Sequence, residues 1–370
     1  EAYNKALTFK PDYAEAYYNM GNALQDKGKL GEAIDAYAKA LAIQPDYARA
    51  YNNMGNALQE QGKLDEAIEA YTKALTLKPD HASAYYHMGN ALKNQGKLDE
   101  AIESYTKALD LEPDYAAARA QKLHQQAHIC DWDSIAQDIT LIPELGTSEK
   151  YVSPFDMLSL EDAPERHRTR SEIYAKAFYP QRPMPAQVKP FQKPKRIHIG
   201  YFSADFHSFP GMYLMAGMLE NHDRSRFQIS AYSYGPDIQD DMRQRIVGAV
   251  DNFIDIKTSS VELTRQLVLA QGVDIAVHRN GYTKGNRTEL FASRLAPLQI
   301  NYLGYPGTLG ADFIDYIVAD QTLIPANQRR AYSEEVIYLP HTYQPNDNTR
   351  VISSKVTTKT DMGLPEDGFV

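Results

Sequence analysis

Residues 47–80 read YARAYNNMGNALQEQGKLDEAIEAYTKALTLKPD, and close copies of the same 34-residue phrase begin at Tyr13 and His81. Pro11, Pro45, Pro79 and Pro113 fall on this one step of 34 residues. The step also links Gly21, Gly55 and Gly89, then Gly28, Gly62 and Gly96, then Ala33, Ala67 and Ala101, then Tyr37, Tyr71 and Tyr105. A fixed period of this length marks a stacked array of helical hairpins. Gly21, Ala33 and their equivalents let two antiparallel helices pack closely, while Gly28, Gly62 and Gly96 supply the turn between them. Each proline ends one hairpin before the next begins. Residues 1–10 read as the second helix of a hairpin whose first helix is absent, so the start is expected to be a truncation.

The unit resembles the tetratricopeptide repeat, with three full copies from about Tyr13 to Pro113. First helices of such stacks line a concave groove that takes extended polypeptide. Asn19 and Asn53 share one repeat position, which His87 fills in the third copy, and Asn22, Asn56 and Asn90 form a second series. An amide donates and accepts, so a ladder of amides can hold an acceptor polypeptide by its backbone whatever its sequence. The plainer alternative is that these asparagines are repeat consensus facing water. The Tyr and Met stripes read as core.

Composition bounds the rest. The 370 residues suffice for two or three domains, and 43% apolar with 24% charged residues is ordinary for a globular chain. With 48 acidic against 39 basic side chains, the net charge of −9 argues against a nucleic-acid binder built on bulk basic charge. A single cysteine, Cys130, excludes an intrachain disulfide and any multi-cysteine zinc site, and fits a reducing compartment such as the cytosol. No apolar run is long enough to span a membrane. His124, His128 and Cys130 sit close in sequence, but no fourth ligand is near and the segment reads as the cap of the array. No metal is expected there.

The segment from Pro180 to Pro194 holds five prolines and reads as an extended connector. Beyond it, short apolar runs alternate with helical patterns. Strands are expected at Ile197–Phe202, Phe227–Tyr234, Phe253–Ile256, Val273–Val277, Gln299–Leu303, Tyr316–Ala319 and Val336–Leu339. Helices are expected at Met212–Leu219, Asp241–Val250, Val261–Ala270 and Thr288–Ser293. This alternation implies a parallel sheet with helices on both faces. The fold class is thus an α-solenoid followed by an α/β region: 1–118 repeats, 119–179 helical cap and junction, 180–195 linker, 196–370 α/β. Neither a dinucleotide fingerprint, nor a phosphate-binding loop motif, nor a serine-hydrolase elbow is present. In such sheets the ligand crevice lies at the carboxyl ends of the strands. Ser203–Pro210, Asn280–Arg287 and Gly304–Thr308 fall there.

The repeats, Cys130-Asp131-Trp132, Gly200-Tyr201-Phe202-Ser203-Ala204-Asp205-Phe206, Asn280-Gly281-Tyr282-Thr283-Lys284-Gly285, Leu303-Gly304-Tyr305-Pro306-Gly307-Thr308 and Leu339-Pro340-His341-Thr342 occur in this order. Together they resemble the protein O-linked N-acetylglucosamine transferase family. The resemblance implies a GT-B catalytic region of two Rossmann-like halves with the sugar nucleotide between them. It implies inverting transfer of N-acetylglucosamine from UDP-GlcNAc to Ser or Thr hydroxyls, with no metal and no cofactor besides that donor substrate. By motif, Asp205 matches an acidic residue near the transfer site and is the expected catalytic residue, and Pro210, Gly304 and Pro306 match positions lining the donor site. The repeats would present acceptor polypeptides, and association of copies through them stays open.

Two departures stand out. The family carries His before the proline of the first crevice loop, where this chain has Phe209, which neither accepts a proton nor donates a hydrogen bond. The chain also ends at Val370, where the family continues into its second half. It is therefore expected to be a fragment that does not turn over alone. An O-fucosyltransferase using GDP-fucose and a non-catalytic repeat scaffold are the rival readings. Asp205 has a plain alternative as a cap of the following helix or turn, and His278 and His341 are left undecided.

Overall fold

The computed structural model describes residues 2–148, 150–180, 196–349, 354–365 and 367. It divides into two compact units. One comprises Glu1–Phe178 with Gly307–Ala311 and Arg330–Ser333, and the other Tyr179–Pro306, Asp312–Arg329 and Glu334–Val370. The connector expected at 180–195 lies, beyond Pro180, outside the described residues.

The first unit is helical. After α1 (Ala2–Phe9) come the hairpins α2 (Ala14–Gln25) with α3 (Leu30–Ile43), α4 (Ala48–Glu60) with α5 (Leu64–Leu77), and α6 (Ala82–Asn94) with α7 (Leu98–Leu111). Then follow α8 (Ala116–His128), α9 (Trp132–Asp138), α10 (Pro154–Met157) and α11 (Pro164–Phe178). The spacing of small residues is explained by what they touch. A Cβ on Gly21, Gly55 or Gly89 would stand 2.5, 2.6 or 2.5 Å from the ring of Tyr37, Tyr71 or Tyr105 of the same hairpin. Those three rings are fully buried. Gly28, Gly62 and Gly96 take φ of 70°, 81° and 80°, the left-handed turn between paired helices. Cys130 is exposed, with φ of 58°, and Asp131 caps α9 by accepting the N–H of Ser134. His124 and His128 do meet, Nε2 to Nε2 at 3.2 Å. Among the described residues no three His, Cys, Asp or Glu side chains are placed to hold a metal ion, and no helix is long and apolar enough to cross a membrane.

The second unit is a parallel sheet. Its strands are β1 (Ile197–Ser203), β2 (Phe227–Ser233), β3 (Asn252–Asp255), β4 (Ile275–His278), β5 (Leu298–Asn301), β6 (Tyr316–Ala319) and β7 (Glu335–Tyr338). Between them lie α12 (Pro210–Glu220), α13 (Asp241–Gly248), α14 (Val261–Gln271) and α15 (Thr288–Ala292). The order is β3-β2-β1-β4-β5-β6-β7, with every neighbouring pair parallel. Alternating side chains separate the two faces. Tyr201, Ala231 and Val277 join Met212, Met215, Leu219 and Ile246 of α12 and α13 in one core. Their neighbours Phe202 and Tyr232 stack on the other face, where Phe202 meets Phe291 of α15 and Tyr232 bonds to Gln271 of α14. All seven expected strands and all four expected helices are present. β5 ends at Asn301 rather than Leu303, because Leu303 takes φ of 78° and cannot continue a strand.

Candidate functional site

The strand order reverses between β1 and β4, the point where an open α/β sheet leaves a crevice at its carboxyl edge. Two expected loops leave the sheet there, side by side, although 74 residues separate Asp205 from Arg279. Asp205, the second residue after β1, is buried. Its Oδ2 accepts from Asn280 Nδ2 at 2.8 Å and from Arg279 Nη1 at 3.3 Å. Asn280 is held from its other end, where Oδ1 accepts from Ser203 Oγ at 3.2 Å, the Ala204 N–H at 3.1 Å and the Tyr234 hydroxyl at 2.9 Å. Burial, then the Asp205 charge, pushes the Tyr234 phenol well above its usual range, so it stays a neutral donor. Asp205 does not cap α12. The cap position is Phe209, whose side chain makes no cap hydrogen bond.

Of the positions matched to the donor side, Pro210 opens α12 and is exposed, as is Pro306. Gly304 follows β5, and a Cβ there would lie 2.0 Å from the backbone O of Arg279. The β5 loop thus presses on the chain as it leaves β4, and only glycine allows that approach. Phe209 is 38% exposed, with its ring 5.8 Å from the Arg279 guanidinium and edge-on to His207. His341 is exposed. Arg279 and Tyr234 were not legible as site residues. The Asn280-Gly281 motif directly after Arg279 was the available signal.

His278 has a structural place. It is fully buried, bonded through Nε2 to Thr288 Oγ1 at 2.9 Å and stacked on Phe291 with ring centroids 4.2 Å apart. Burial pushes its pKa down to about 3, so it is neutral when folded. The unfolded chain takes up this proton near pH 6.5, so the contribution is complete above that value and is lost as pH falls toward 3. Between pH 7.5 and 5 the parent should lose about 2 kcal/mol more stability than a His278→Gln variant, by denaturant unfolding of both at each pH. Equal losses would contradict this assignment.

In the repeats, the asparagine series part company. The Oδ1 atoms of Asn22, Asn56 and Asn90 accept from the hydroxyls of Tyr37, Tyr71 and Tyr105 at 2.8, 2.8 and 2.9 Å, tying the helices of each hairpin together. Half of each amide is therefore committed within its repeat. Asn53 Nδ2 donates to Asn22 Oδ1 at 2.9 Å and to the Tyr18 hydroxyl at 3.1 Å, a bridge between successive first helices. Asn19 is half-buried.

Comparison with known proteins agrees with both units. Tetratricopeptide repeats match residues 1–28, 21–62, 55–96 and 82–115. Glycosyl transferase family 41 matches residues 176–364, just over half of the chain. A probable UDP-N-acetylglucosamine–peptide N-acetylglucosaminyltransferase of Arabidopsis thaliana, SEC, is 29% identical over 273 residues, covering 67% of this chain and 28% of its own length. The UDP-N-acetylglucosamine–peptide N-acetylglucosaminyltransferase of Caenorhabditis elegans is 35% identical over 183 residues, which are 47% of this chain and 16% of that protein. A mutant O-GlcNAc transferase of Thermobaculum terrenum superposes with a TM-score of 0.55 at 25% identity, covering 90% of this chain and 58% of that one. The chain thus spans less than a third of these two curated relatives. With a match across the whole sheet and its crevice loops, the chain belongs to glycosyl transferase family 41.

Proposed function

We propose that the protein carrying this chain transfers N-acetylglucosamine from UDP-GlcNAc to Ser or Thr hydroxyls of polypeptides. In this reading the crevice between β1 and β4 forms one wall of the donor site. The observation that carries it is the buried Asp205–Arg279–Asn280 cluster at the point where the strand order reverses, in the part that matches the glycosyltransferase family. The names of the relatives supply the sugar and the acceptor class. Chemically, the bond between the anomeric carbon and the diphosphate breaks while the acceptor oxygen bonds from the opposite face. UDP leaves, and the hydroxyl proton is released. Asp205 acts in this scheme as a positioning residue, because its charge is engaged by Arg279 and Asn280. Pro210, Gly304 and Pro306 shape the donor side. No metal or further cofactor is assigned.

The test is transfer of labelled sugar by the full-length gene product, with UDP-GlcNAc or GDP-fucose as donor and with EDTA present. Transfer from UDP-GlcNAc that EDTA leaves intact is expected. Transfer from GDP-fucose alone, or none from either donor, would overturn the reading.

The repeats are assigned to the acceptor, with Asn19 as a backbone contact and Asn53 as a second one that must give up its bonds to Asn22, Tyr18 and Asn52 to make it. Replacing both by Ala should weaken polypeptide binding by about 1 kcal/mol per lost hydrogen bond while far-UV circular dichroism is unchanged. Equal affinity of the double variant, by fluorescence anisotropy of a labelled acceptor peptide, would return both residues to the repeat framework.

A further inference from the structure

Residues 204–209, which join β1 to α12 and carry Asp205, form neither helix nor strand. With no ladder to fix its backbone, such a stretch lies where side chains hold it. The β4 side holds it through Asn280. The β2 side holds it through two residues of α13. Asp240, the cap of that helix, accepts the Arg243 N–H through Oδ1 at 2.8 Å and the Ser208 N–H through Oδ2 at 2.7 Å. Those two N–H groups, Ser208 first, keep the Asp240 carboxyl below its usual range, so an ionised acceptor serves both. Capping α13 takes only one of its oxygens, and Asn or Ser would supply that one equally well. The second oxygen is given to the crevice loop. In a capping box the third helical residue reaches back toward the cap. Arg243 stands at that place and reaches the loop instead, where Nη1 donates to Phe206 O and to Ser233 Oγ, each at 3.2 Å. Its side chain is 6% exposed, with the guanidinium 4.1 Å from the centre of the Phe253 ring.

We propose that Asp240 and Arg243 are positioning residues for sugar transfer, holding the loop that carries Asp205 by its Ser208 amide and its Phe206 carbonyl. The two bonds sit on either side of His207, so they fix the direction of the loop as well as its place. In an oriented site a displacement of about 1 Å costs roughly a hundredfold in rate. Neither residue needs to touch the substrate to act in this way. The inference rests on reading the crevice as the transfer site, but part of its test needs no turnover.

Asp240→Asn in the full-length gene product separates the two tasks of the carboxylate. Asparagine caps a helix as well as aspartate does, but it presents an oxygen to only one of the two N–H groups. Hydrogen exchange at the Ser208 amide should quicken about tenfold or more, the loss of one charge-assisted bond, while the amides of α13 exchange as before. Transfer kcat should fall about tenfold or more with the melting temperature nearly unchanged. Added to Asp205→Asn, the same substitution should cost much less than it does alone, because both act through one loop. Arg243→Lys keeps the charge but loses the reach to Phe206 O, and should lower kcat likewise. Should Asp240→Asn fail to fold, Asp240→Ser caps α13 but is too short to hold Ser208, and serves in its place. Ser208 exchange that is unchanged overturns the proposal whatever the activity. So does faster exchange with kcat intact, or a loss fully additive with that of Asp205→Asn, either of which leaves Asp240 a helix cap alone. The sugar-transfer reading is decided separately, by whether the parent enzyme gives labelled product.

Discussion

Asp205→Asn in the full-length gene product is expected to lower kcat for sugar transfer roughly a hundredfold or more, because a misplaced first contact costs that much in an oriented site. The carboxylate holds Arg279 Nη1 at 3.3 Å and Asn280 Nδ2 at 2.8 Å, and Asn280 in turn holds Ser203, Ala204 and Tyr234. Asn keeps the size and part of the hydrogen bonding but removes the charge that anchors the guanidinium. A variant with a lower melting temperature and an unchanged kcat would make Asp205 a structural clip. Steady-state kinetics with varied donor separate the two results.

The second large effect is expected at Gly235. A Cβ there would stand 1.7 Å from the backbone O of Ala204, the residue just before Asp205. Neither atom can swing aside, because both belong to main chain that the sheet fixes: the Tyr234 N–H bonds to Ser203 O at 3.1 Å. Gly235→Ala should therefore cost about 3 kcal/mol, the upper end for overpacking, and lower the melting temperature by several degrees. The first crevice loop must move with it, so transfer should fall as well. An unaltered melting temperature, by differential scanning calorimetry, would show that the two loops do not press together as described.

The repeat array was legible because its spacing is set by contacts inside one unit. Each glycine of the Gly21 series faces a tyrosine of its own hairpin, and the pattern recurs three times. The partners of Asn22, Asn56 and Asn90 lay in the same signal, since a tyrosine follows each by 15 residues. The sheet was legible because strands buried on both faces read as continuous apolar runs. The inner shell of the site was not. Asp205 meets Arg279 only because β1 pairs with β4 and not β3, and local spacing does not state strand order. Nor did it announce Leu303, whose left-handed backbone turns the β5 loop back toward Arg279.

Labelling the full-length gene product with a photoreactive UDP-GlcNAc analogue and mapping the modified peptides would test most directly where the donor sits. Labels are expected within 203–212, 279–287 or 302–306, suppressed by excess UDP-GlcNAc. Suppressible labelling that spares all three loops would contradict that placement.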